Sequence, residues 1–216
     1  MEWQTNGRIG IEVEHESWME GGGTWFGQDY VNVIKERYPD TVFEKVYEWC
    51  SGPGFIGFNL LDHGVGQQLC LSDIYEPAID SVHQTIASLP AEYQGCVTAY
   101  ATGRIQDLPK KEQFDLVVAN PPHFLECPGD LHMQRIKVDS NWAAHREFFE
   151  HIGQYLLPGG VILLQENQAG SLKREKEFVD MIESSGLQIT AVFDSNEFYT
   201  PDDHTQIYYI EIKKAV

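Results

Sequence analysis

The chain has 216 residues, 42% of them apolar, which is room for one domain with a substantial core and too little for two full ones. Fifteen Lys and Arg against 33 Asp and Glu give a net charge of -18, and such a surface disfavours phosphate backbones, whose binding rests on basic residues. No apolar run approaches the roughly 20 residues of a membrane-spanning helix. The start, "MEWQTNGRIGIEVEHES", has no basic opening and no apolar core of a signal peptide, and Cys50, Cys70, Cys96 and Cys127 form no CxxC pair, so a cytoplasmic chain without a disulfide framework is expected.

The first 27 residues read as irregular, with Gly21, Gly22 and Gly23 in a row among Trp3, Trp18, Trp25 and Phe26. They suit either a packed arm or a lid hinged on glycine. Tyr30, Val31, Ile34 and Tyr38 recur at helical spacing, and Pro39 stops that helix. Residues 1–40 are therefore expected to form an N-terminal arm and helix, and 41–216 the main domain. From there apolar runs at 44–49, 69–74, 96–101, 114–119, 161–165, 188–193 and 206–212 alternate with helical patterns at 55–63, 76–88, 141–156 and 171–185. Strands alternating with helices imply an α/β fold, with a mostly parallel sheet covered on both faces. The last two runs are separated only by "DSNEFYTPDDHT", rich in turn formers, and should pair antiparallel at one edge.

The first strand leads into "EWCSGPGFIG", where Gly52, Gly54 and Gly57 give G-x-G-x-x-G. This spacing lets backbone amides approach a ligand and packs the next helix on the sheet. Taken alone it is also an ordinary tight turn. Asp73 closes the second strand about 20 residues later, where a carboxylate can accept both hydroxyls of a ribose. Glu48, just ahead of the loop, would repel a pyrophosphate and attract an ammonium. That favours S-adenosylmethionine over a nicotinamide dinucleotide.

The fourth strand, "FDLVVA", runs into Asn120, Pro121, Pro122 and His123. Ligands in open α/β sheets bind beyond the carboxyl ends of the strands. An amide or aromatic amine is a poor nucleophile, because its lone pair is delocalised. The Asn120 side-chain oxygen and the Pro121 carbonyl could accept its two N–H bonds, with the prolines fixing where those acceptors point. His123 could stack on the planar group or take a proton late. A plain Asn-Pro cap on the next segment is the competing reading.

These motifs together resemble the class I S-adenosylmethionine-dependent methyltransferases with an Asn-Pro-Pro-aromatic motif, the group of HemK-like protein glutamine methyltransferases and amino-methyltransferases of nucleic-acid bases. The resemblance runs over residues 44–214 and implies a Rossmann-like fold of seven mostly parallel strands with an antiparallel last strand and helices on both faces. It places Glu48 near the methionine ammonium, Cys50, Ser51, Gly52, Gly54 and Gly57 in the cofactor loop, Asp73 on the ribose and Ile74 beside adenine. Asn120, Pro121, Pro122 and His123 form the catalytic motif. Cys50 stands where the family's first loop glycine is usual, and His123 where Tyr, Phe or Trp is usual. The acid that meets the adenine amine is absent from the plain register of "ATGRIQDL", which leaves Asp107 or a backbone group.

The expected activity is methyl transfer from S-adenosylmethionine to an amide, amine or planar nitrogen of a small molecule or protein side chain, without a metal. The alternatives are an exocyclic amine of an RNA base, a nicotinamide oxidoreductase, which leaves Asn120 unexplained, and a cofactor-binding subunit without turnover. His123, Cys127 and His132 match no zinc spacing, and residues 123–141 read as a substrate-side loop holding Arg135 and Lys137.

Overall fold

The computed structural model describes residues 2–19, 23–126, 128–129, 131–200 and 205–215, excepting the side chains of 132, 133, 196–200 and 205. Gly21, Gly22, Cys127 and most of the "TPDDHT" turn, on which sequence expectations fell, lie outside these residues, as does the side chain of His132. Two compact units make up the chain, Met1–Gly103 and Arg104–Val216. Seven strands belong to the main sheet, and two more form a separate hairpin.

The first unit opens with that hairpin, β1 (Glu2–Gln4) and β2 (Glu12–Glu14), paired antiparallel with Trp3 opposite Val13. The alternation is too short to stand out in the sequence. Helix α1 (Gly23–Arg37) buries Tyr30, Val31 and Ile34, and Lys35 and Arg37 in its last turn complement the helix dipole. Strand β3 (Phe43–Trp49) buries four consecutive residues, Val46 to Trp49, as a strand covered on both faces must. Helix α2 (Phe55–Asp62) is buried along its whole length. Strand β4 (Gly66–Asp73) pairs parallel with β3; helices α3 (Glu76–Ser88) and α4 (Ala91–Gln94) then lead to β5 (Val97–Ala101), parallel to β4.

The described arm is packed, and one carboxylate ties it down. Asp62, at the end of α2, accepts hydrogen bonds from the Thr5 hydroxyl and from the amides of Gly7 (2.7 Å), Ile9 (2.6 Å) and Gly10 (3.3 Å). Burial alone would raise the Asp62 pKa, but these donors hold it below the ordinary value. The Glu14 amide donates to Thr85 of α3. Trp3 and His15 meet Phe55 edge-on at 5.6 and 4.9 Å, and Trp18 meets Tyr75 at 5.0 Å.

In the second unit, strand β6 (Phe114–Ala119) is buried at Phe114 and from Leu116 to Ala119. Helix α5 (Leu131–Lys137) occupies part of the stretch expected as a loop. Helix α6 (Ala143–Ile152) begins after Asn141 and Trp142, both at positive φ. Asp139 caps α6, accepting the amides of Ala144 and His145. Strand β7 (Leu156–Asn167) starts earlier than its apolar run and pairs parallel with β6. The expected helix over 171–185 is a short 3-10 turn, Arg174–Glu177, followed by α7 (Val179–Ser184). Strands β8 (Leu187–Thr200) and β9 (Thr205–Lys214) pair antiparallel, as their turn-rich connection implied. The last strand, β9, also pairs antiparallel with β7, so it lies between β7 and β8, and β8 is the outer strand.

Candidate active site

The glycine loop gathers the first unit's candidate residues. Glu48, near the end of β3, is 2% exposed. Its carboxyl accepts the Gly57 amide at 2.7 Å. A Cβ on residue 57 would lie 2.6 Å from that oxygen and 2.7 Å from Leu69, so only glycine lets α2 come close enough to make the bond. Burial is the main force on Glu48 and pushes its pKa up to about 8; the Asp73 charge adds to the rise, and the Gly57 and Ile56 amides oppose it.

Cys50 takes a left-handed backbone, φ 54°. Few side chains tolerate this conformation, which gives the family's usual glycine there a physical reason. Ser51 is buried, and its amide donates to the Ser72 carbonyl. Gly54 caps α2 at φ 88°. Asp73 closes β4, one oxygen accepting the Gly52 amide and the other the Tyr75 amide, both at 2.8 Å. Burial raises its pKa against those two bonds. Ile74 is 81% exposed, an unusual position for a large apolar side chain in the middle of a packed α/β unit. Glu48, Asp73 and the glycine loop are thus joined by direct hydrogen bonds, the contiguity their sequence spacing implied.

The second unit carries the other candidates. Asn120 and His123 are half-buried at the end of β6, with Pro121 buried and Pro122 half-buried between them. His123 Nε2 lies 2.7 Å from Asn120 Oδ1, and because that oxygen only accepts, the nitrogen carries the proton. The ring is therefore tied in its own plane to Asn120. The turn is pinned on its far side by Phe124, whose amide donates to the Lys137 carbonyl and whose carbonyl accepts the Asp139 amide, both at 2.8 Å. Gly170 lies against the His123 carbonyl with no room for a Cβ. Asp107 ends a 3-10 turn (Ile105–Asp107), is exposed, and sits 3.9 Å from Arg104.

Sequence reasoning missed the residues behind His123. Glu166 Oε2 lies 3.4 Å from His123 Nδ1, and its Oε1 accepts from His145 Nε2 at 2.8 Å. Two signals were available. Glu166 directly follows the apolar run of β7, and His145 falls on the apolar stripe of α6 with Phe148, Phe149 and Ile152. Among the described residues, no group of three His, Cys, Asp or Glu could hold a metal ion, and no helix is long and apolar enough to cross a membrane.

Residues 31–184 match the methyltransferase small domain. The chain belongs to that methyltransferase family. No curated protein matches the sequence. Solved structures match the fold of this methyltransferase over most of its length. N-methyltransferase NodS from Bradyrhizobium japonicum WM9 has TM-score 0.58 at 14% identity, covering 89% of this chain and 96% of that one. The glycopeptide N-methyltransferase MtfA, solved with S-adenosyl-L-methionine, has TM-score 0.64 at 14% identity, covering 89% and 94%. A ribosomal protein L11 methylase from Lactobacillus delbrueckii subsp. bulgaricus has TM-score 0.55 at 13% identity, covering 90% and 78%. At such identities the likeness is one of fold, and it spans acceptors as different as a glycopeptide and a ribosomal protein.

Proposed function

We propose that this methyltransferase uses S-adenosylmethionine to methylate an amide, amine or planar nitrogen of a small molecule or protein side chain, as in the Asn-Pro-Pro-aromatic group. The observation that carries this reading is Asn120, a half-buried carboxamide at the end of a buried strand, with its oxygen fixed by His123 at 2.7 Å. The first unit's residues fit the donor. Glu48 offers a buried carboxyl to an ammonium, and Asp73 offers a carboxylate to a ribose diol. The exposed Ile74 offers an apolar face to adenine, and a Cβ on Gly52 would meet nothing within 4 Å, which leaves room beside the loop. Asp107 is the remaining candidate for the adenine amine.

S-adenosylmethionine, when bound, would supply an electrophilic methyl, with the C–S electron pair staying on sulfur as the acceptor nitrogen takes the methyl. The chain's own work is orientation and charge. Asn120 Oδ1 and the Pro121 carbonyl accept N–H bonds from the acceptor and aim its lone pair, and they stabilise the positive charge that develops on nitrogen before it sheds a proton. The net charge of -18 argues against an RNA acceptor.

The test has two arms. Calorimetry with S-adenosylhomocysteine and with NAD should show binding of the first only. Incubation with isotope-labelled donor and panels of amines, amides, peptides and RNA should label an uncharged nitrogen compound or a peptide. Binding of NAD alone would refute the reading.

A further inference from the structure

Behind the Asn-Pro-Pro-His turn stands a row of buried charge that aiming the acceptor does not by itself require. Glu166 and His145 are fully buried, and Asp139 is 4% exposed. His145 Nδ1 donates to Asp139 Oδ2 at 2.7 Å, and its Nε2 to Glu166 Oε1 at 2.8 Å. The other Glu166 oxygen faces His123 Nδ1 at 3.4 Å, and His123 Nε2 donates to Asn120 Oδ1 at 2.7 Å. Five side chains, Asp139, His145, Glu166, His123 and Asn120, thus make one continuous polar row. Phe178 stacks on the His145 ring at 5.0 Å and Trp142 meets it edge-on at 5.2 Å. Tyr208 lies within the electrostatic reach of Glu166, with Arg174 over its ring.

The polarity of the row follows from its acceptors. Both His145 nitrogens face carboxylate oxygens, so both carry protons. Burial pulls the His145 pKa down, but the Glu166 charge and the Asp139 hydrogen bond outweigh it and lift it to about 9. Burial would likewise raise Glu166, yet its interactions with His145 and His123 bring it below its ordinary value. Buried charges of this kind cost several kcal/mol of desolvation, and apolar side chains of equal volume often serve stability as well. Their place directly behind the turn gives them a use.

We infer that Glu166, held ionised by His145 and Asp139, is a positioning residue for the acceptor: it fixes the His123 ring, His123 Nε2–H then fixes the Asn120 carboxamide oxygen, and that oxygen's second lone pair is left for an acceptor N–H. This rests on the role proposed for Asn120.

The experiment is ring-nitrogen NMR on the full chain labelled with 15N-histidine, comparing wild type with Glu166→Gln. In the wild type, His145 should keep both ring protons up to about pH 9, and His123 should show an Nε2–H hydrogen-bonded to Asn120 and an Nδ1 signal that senses Glu166. In Glu166→Gln, His145 should lose a proton at lower pH and the His123 ring signals should move. With an acceptor in hand, kcat should fall about tenfold to 100-fold, with less change in acceptor KM and in S-adenosylhomocysteine affinity, and Glu166→Asp should recover part of it. Unchanged His123 signals in a folded Glu166→Gln variant would overturn the inference. If that variant does not fold, a neutral His145 in wild type at pH 7 would do the same. Failure of the wild type to bind S-adenosylhomocysteine would instead remove the functional reading and leave the NMR result standing.

Discussion

The Gly57 amide donates to the buried carboxyl of Glu48 at 2.7 Å, across a gap that a Cβ on residue 57 would close. With its pKa near 8, Glu48 is mostly protonated at pH 7 in the free protein. An ammonium beside it favours the ionised form. Binding of S-adenosylhomocysteine should therefore release up to one proton, and affinity should rise from pH 6 to pH 8. In the free protein the sign is opposite: a carboxyl raised from 4.5 to about 8 makes folding less favourable as pH climbs through that window. Calorimetry in buffers of different ionisation enthalpy measures the release. A binding enthalpy identical in every buffer, or the same release from Glu48→Gln, would remove Glu48 from the ammonium site.

Asn120→Ala should lower turnover by about 100-fold or more, the scale on which removing one oriented hydrogen-bonding group destabilises a transition state. Asn120→Asp keeps an acceptor oxygen and should retain part of the activity. Neither should alter cofactor affinity much, because the carboxamide is assigned to the acceptor. Steady-state kinetics beside calorimetry separates the two effects, and normal turnover by Asn120→Ala would reduce the motif to a cap.

Gly170→Ala places a methyl where the His123 carbonyl sits. The turn must shift, at a cost of about 1–3 kcal/mol, and the Asn120–His123 bond should loosen with it. The expected result is a fall in turnover together with a lower melting temperature, while Gly95→Ala, at a glycine with negative φ and no neighbour within 4 Å, controls for general effects of the substitution. Wild-type activity and stability in Gly170→Ala would show that the turn tolerates displacement.

Asp62→Asn replaces an acceptor of four hydrogen bonds with a group that faces amide donors with its own N–H. A loss of about 2 kcal/mol is expected at pH 7, seen as a melting temperature lower by roughly 4–8 °C. Because the folded-state pKa is depressed, Asp62's contribution is present above its unfolded value of 3.8 and fades as pH falls through the folded one. The gap between wild type and variant should narrow below pH 4. Truncation of residues 2–11 should destabilise the protein in the same way, and equal melting curves would show that the arm is only loosely attached.

The alternation of strand and helix, the glycine loop with its acid, the turn after "FDLVVA" and the antiparallel closing pair were all legible from residues close in sequence. Helical and strand periods, glycine spacing and proline stiffness act over a few residues, so a single chain read in order displays them. The match to the methyltransferase small domain and the strand pairings agree with that reading. Other features came only with the tertiary structure. The insertion of β9 between β7 and β8 depends on which strand edges meet, and no local pattern states it. Asp62 reaches Thr5 across 57 positions, Glu166 reaches His123 across 43 and His145 across 21. Each of these carboxylates looked in sequence like an ordinary charge at the end of an apolar element. Burial removed the water that would otherwise solvate them, and the packed fold alone decided which donors took its place.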